Sequence, residues 1–91
     1  MKRIADRTDI IVGIPTYNEA DSIRSVTHKI DIGLRRDFAG YRCMLANLDS
    51  DSEDATSAEF LSTPTVNSKM SINTGGDPRG KGRNLLYLFN L

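Results

Sequence analysis

Short apolar runs alternate with longer stretches in which apolar residues recur every three or four positions. The first run is Asp9-Ile10-Ile11-Val12-Gly13-Ile14, β-branched and stopped by Pro15. A continuous run of this kind suits a strand buried on both faces, as in a parallel sheet. After Pro15-Thr16-Tyr17-Asn18 a helical pattern opens with Glu19 and Asp21. Asn18 is placed to cap it, and the acids favour the positive end of the helix dipole. Ile23, Val26, Ile30 and Leu34 share one stripe, while Arg24, His28, Asp31 and Arg35 fall elsewhere; the pattern fades near Asp37-Phe38-Ala39-Gly40. A second strand is predicted over Tyr41 to Leu48. An acidic turn follows, Asp49 to Asp54, with Ser52 as N-cap of a helix running to about Leu61 and broken at Thr63-Pro64-Thr65. Lys69-Met70-Ser71-Ile72-Asn73 forms a third, weaker strand. A glycine-rich loop from Thr74 to Gly82 leads into the apolar stretch Asn84 to Leu91, the start of a last helix.

This strand–helix alternation predicts an α/β fold, a Rossmann-like parallel sheet with right-handed crossovers. The polar residues 1–8 form a lead-in. Ligands of such sheets bind outside the carboxyl ends of the strands. Three segments with chemical potential fall there: Pro15 to Glu19, Asp49 to Ser52, and Gly75 to Gly82. Each also has a simpler role, as strand end, capping turn or hairpin. Their convergence on one edge favours a single site. A tyrosine at a strand end can stack on a planar base, and a carboxylate can accept from a uracil N–H or a ribose hydroxyl. Tyr17, Asp49 and Glu19 suit these roles. Glycines beside Lys81 allow close approach of a nucleotide to the backbone, with a positive charge to hold it.

Composition narrows the field. The 91 residues carry 12 Lys and Arg against 12 Asp and Glu, so overall charge does not steer the chain to nucleic acid. Hydrophobic residues make up 38%, within the globular range once glycine is added. No apolar run is long enough to span a bilayer, and the charged N-terminus lacks the apolar stretch of a secretory signal. The single cysteine, Cys43, excludes an internal disulfide and fits a reducing, cytoplasmic setting as a buried thiol. With His28 alone it cannot make a four-ligand zinc site. Gly75-x-x-x-x-Gly80-Lys81-Gly82 nearly spells a phosphate-binding P-loop, but Gly82 stands where that loop needs a hydroxyl for Mg²⁺. An NTP-binding fragment and a non-catalytic interaction module remain as alternatives.

Taken together, the segments resemble the N-terminal part of a GT-A-fold, family-2-like glycosyltransferase. Ile11 to Glu19 resembles the family's hydrophobic run followed by P-x-Y-N-E. Asn47 to Thr56 resembles D-D-G-S-x-D-x-T, and Gly80-Lys81-Gly82-Arg83-Asn84-Leu85 resembles G-K-G-x-A-L. Within that group the chain is most similar to the glucosyl-3-phosphoglycerate-synthase-like branch. The resemblance implies that Pro15, Tyr17 and Glu19 shape a nucleoside pocket, with Glu19 near the ribose. Asp49 and Ser50 would face the base and Lys81 would hold the nucleotide. The implied donor is a nucleotide-diphosphate sugar, UDP-linked, with an unspecified acceptor. The implied Mg or Mn would bind beyond this chain, since the family's metal D-x-D follows the G-K-G segment, whereas Asp49-Ser50-Asp51 precedes it. The sequence departs from the pattern at Ser50, at Asn84, and at Asp51, where the family carries Gly; Asp tolerates positive φ better than most residues. The unfinished last helix suggests a truncated front portion of a larger domain, inactive in transfer by itself, or one that needs partner surface such as a second copy.

Overall fold

The computed structural model describes residues 8–75, and the expectations that fall on 1–7 and 76–91, including Lys81 and the last helix, lie outside the described residues. The elements are β1 (Ile10–Thr16), α1 (Ile23–Asp37), β2 (Cys43–Asp49), α2 (Thr56–Ser62) and β3 (Ser68–Asn73). The strands form a parallel sheet in the order β1-β2-β3. Ile10 is opposite Cys43 and Thr16 opposite Asp49, while Met44 is opposite Ser68 and Asp49 opposite Asn73. The result is an α/β chain of the predicted alternation, consistent with a Rossmann-like arrangement.

Strand β2 lies in the middle and is buried along its whole length, as its apolar run requires. Pro15 does not end β1 but sits inside it. The Thr16 carbonyl accepts from the Ser50 amide, so Thr16 faces β2 and the preceding proline turns its hydrogen-free nitrogen outward. Proline is tolerated there because β1 is an edge among the described strands.

Both crossovers advance in the same direction across the sheet, so right-handedness places α1 and α2 on one face. There Ile14, Ile23, Leu34, Cys43, Leu45 and Phe60 form the core, with Ile10, Val12 and Ile30 packed against it. Cys43 is a buried free thiol. Alternation sends Met44, Ala46 and Leu48 to the opposite face, where they too are buried.

Helix α1 departs from its predicted register. It begins at Ile23, behind a turn in which the Glu19 carbonyl accepts from the Ser22 and Ile23 amides. No acidic residue lies in its first turn, and Asn18 does not cap it. Its buried residues are Ile23, Thr27, Asp31 and Leu34, whereas Val26 is exposed. The stripe is rotated because Asp31, only 2% exposed, has inward partners. Its carboxylate accepts from the Val66 amide (3.1 Å), the Asn67 amide (3.1 Å) and the Asn67 side chain (2.8 Å). The turn between α2 and β3 is thereby fastened to α1. Burial pushes the Asp31 pKa up, but these hydrogen bonds outweigh it and hold the carboxyl below its ordinary value. The far end of α2 is closed by Lys69, whose ammonium donates to the carbonyls of Phe60 (3.1 Å), Leu61 (2.7 Å) and Thr63. A cation at a helix C-terminus complements the dipole. Burial lowers the Lys69 pKa.

Replacing Asp31 by Ala leaves the two turn amides without their acceptor, a loss of about 2–3 kcal/mol in urea unfolding at pH 7. A carboxyl with a depressed folded pKa contributes fully above its unfolded value, about 3.9, and loses that contribution as pH falls through the folded one. The gap between wild type and Asp31→Ala should therefore narrow as pH drops below about 4. A gap independent of pH would contradict the assignment.

Candidate functional site

All three strands end at one rim. From β1 the chain passes into Tyr17-Asn18-Glu19-Ala20, from β2 into Ser50 to Ala55, and from β3 into Thr74 and Gly75. This carboxyl rim is where open parallel sheets take ligands.

The rim is built around a buried chain of polar groups. Asn47, fully buried in β2, donates from Nδ2 to the Ile14 carbonyl (3.1 Å) and to Thr16 Oγ1 (2.8 Å). Its Oδ1 accepts from the Ser71 hydroxyl at 3.0 Å and the Ser57 hydroxyl at 3.4 Å. Thr16 passes its own proton on, donating to Asp49 Oδ1 at 2.7 Å. Ser52 donates to the same oxygen from its hydroxyl at 2.6 Å and to Oδ2 from its amide at 2.8 Å. One hydrogen-bonded path thus runs from β3 and α2 through the sheet to the rim, and such a path is stable only when each member has a partner. Every buried side-chain nitrogen and oxygen among the described residues has one.

Four hydrogen bonds then join the first loop to the second loop and to the first residue of α2. The Asn18 amide donates to Ser52 Oγ (2.8 Å), and Asn18 Oδ1 accepts from the Glu53 amide (2.9 Å). The Glu19 amide donates to Thr56 Oγ1 (2.9 Å) and the Ala20 amide to Asp54 Oδ2 (3.2 Å). Asn18 and Ser52, both expected to cap helices, bind each other's loops instead. The N-terminal turn of α2 is held by Asp54, which accepts from the Thr56 amide at 3.0 Å and from its hydroxyl. That hydroxyl contact lowers the Asp54 pKa. The third loop joins through Thr74, whose amide donates to the Asp49 carbonyl (2.8 Å), and through Asn73, which donates to Asp51 Oδ1 (3.1 Å).

Two non-glycine residues at this rim adopt left-handed backbone, Asn18 at φ 50° and Asp51 at φ 58°. Position 51 therefore demands the positive φ expected of a glycine, and aspartate supplies it with tolerable strain.

The structure brings Pro15, Tyr17, Glu19, Asp49 and Ser50 to this one rim, and Lys81 lies outside the described residues. Tyr17 is 51% exposed and available as a stacking surface. Glu19 is half-buried beside the start of α2. Asp49 and Ser50 are almost fully buried, at 3% and 5% exposure. Thr16, Asn18, Asn47, Ser52 and Asn73 join the rim network beyond the residues that the sequence pattern marks as a site. The available signal was Asn47, a lone amide inside an otherwise apolar strand. Among the described residues no group of three or more His, Cys, Asp or Glu side chains could hold a metal ion, and no helix is long and apolar enough to cross a membrane.

Fold and rim together define an α/β chain with a three-stranded parallel sheet whose first two loops are cross-linked at the carboxyl edge. No family model, curated protein or solved structure matches it.

The left-handed backbone at Asp51 gives a direct test. A β-branched side chain there costs about 1–2 kcal/mol. Asp51→Val should lower the melting temperature, while Asp51→Gly should stay within about 1 kcal/mol of wild type because relief of strain offsets the lost Asn73 contact. Equal stability of the two variants would show that position 51 does not hold positive φ.

Proposed function

We propose that this chain is the nucleoside-binding front of a GT-A-type glycosyltransferase and holds the nucleotide of a UDP-linked sugar donor, with an acceptor of unspecified class. The observation that supports this most is that β1 runs out into the exposed Tyr17 at the same rim where its neighbour β2 runs out into the buried Asp49 and Ser50. An exposed aromatic ring at a rim that also carries polar groups suits a base, which has apolar faces and a hydrogen-bonding edge. In this proposal Tyr17 stacks on the base and Glu19 accepts from ribose hydroxyls. Pro15 stiffens the approach to Tyr17, Asp49 and Ser50 bound the site at the end of β2, and Lys81 neutralises part of the diphosphate. The transfer moves the sugar from the departing diphosphate to the acceptor, and the residues described here serve to fix the nucleoside end of that leaving group. The order of sequence segments, with a strand end bearing Tyr17-Asn18-Glu19 and a later Gly80-Lys81-Gly82, supports the same reading.

Calorimetric titration tests it. UDP should bind wild type, and Tyr17→Ala should weaken it by about 1–3 kcal/mol, the usual worth of a base stacked on an aromatic ring. Lys81→Ala should weaken UDP more than uridine. Binding of ATP with Mg²⁺ but not UDP would favour a P-loop fragment, and no heat with either would favour a non-catalytic module.

A further inference from the structure

A carboxylate offers about four lone-pair positions. In Asp49 three of them are engaged by Thr16 and Ser52, and the group is 3% exposed. The Ser52 hydroxyl, with its proton directed to Asp49, presents a lone pair to the Asn18 amide, and Asn18 in turn accepts from Glu53. Asn18 is the residue next to Tyr17. The carboxylate is therefore linked through a single serine to the backbone that carries the exposed ring. Its negative charge shortens and strengthens the bonds it accepts, as charge-assisted contacts do.

Resting on the nucleoside-binding proposal above, we infer that Asp49 is a positioning residue, acting on the ligand through Ser52 and Asn18 by fixing the Tyr17 loop and not by accepting a hydrogen bond from the base. Asn47 and Thr16 serve the same end from below, since the Asn47 amide donates to a lone pair of the Thr16 hydroxyl and so helps direct that hydroxyl's proton to Asp49.

A double-mutant cycle read on two observables tests this inference. In UDP titrations, Asp49→Ala and Ser52→Ala should each weaken binding by about tenfold, roughly one charge-assisted hydrogen bond. The double variant should be no weaker than Asp49→Ala alone, because both act along one path. In the free protein, ¹⁵N relaxation should show the Tyr17 amide ordered in wild type and more mobile in Ser52→Ala. Thr16→Ser, which keeps the hydroxyl, should retain both affinity and order, whereas Thr16→Val should lose both; this pair also serves if Asp49→Ala does not fold. Additive losses, or Tyr17 order unchanged in Ser52→Ala and Thr16→Val, would overturn the inference and return Asp49 to direct contact. Failure of wild type to bind UDP would instead overturn the uridine proposal, and the relaxation data, taken without ligand, would still decide the coupling.

Discussion

A carboxylate withdrawn from water must have its charge shared among donors, since burial without partners costs several kcal/mol. Asp49 meets that requirement at the end of the central strand, and the surrounding structure follows from it. Thr16 must face β2 to donate, which fixes the register of β1 at its last residue. Ser52 must fold back over Asp49, which draws the second loop into a tight turn and places Asp51 in left-handed backbone. With its hydroxyl proton on Asp49, Ser52 is left to accept from Asn18, and the first loop is thereby held against the second.

The sheet puts this arrangement where it can act. Parallel strands joined by right-handed crossovers that advance in one direction send both helices to one face and all strand ends to one rim. A rim stiffened from below can present an exposed ring without the entropy loss that a loose loop would suffer on binding. The two clamps at the other end of the layer, Asp31 on the turn before β3 and Lys69 on the last carbonyls of α2, hold the helices against that sheet.

Much of the fold was legible because strands announce themselves by composition. The apolar run of β2 and the β-branched run of β1 are hard to mistake, and the third strand was placed to within a residue. Helix α1 was recognised but its buried stripe was rotated, because periodicity alone assigns a charged residue to solvent and cannot foresee that Val66 and Asn67 offer Asp31 buried donors. Local propensity makes Asn18 and Ser52 helix caps. Their side chains found partners across the rim instead, a tertiary contact that local propensity does not encode. The need for positive φ at position 51 could be anticipated from the glycine that the resembled motif carries there. The engagement of the Asp49 carboxylate could not, since residue type and spacing give its location but not its partners.

The account stands on the claim that the two rim loops behave as one body. Amide hydrogen exchange measures this without any ligand. The amides of Asn18, Glu19, Ser52 and Glu53, each donating in the network, should be protected and should open together with one common free energy, as members of a single cooperative unit do. Exchange of the Asn18 and Glu19 amides at the rate of an open loop, while Ser52 remains protected, would contradict it.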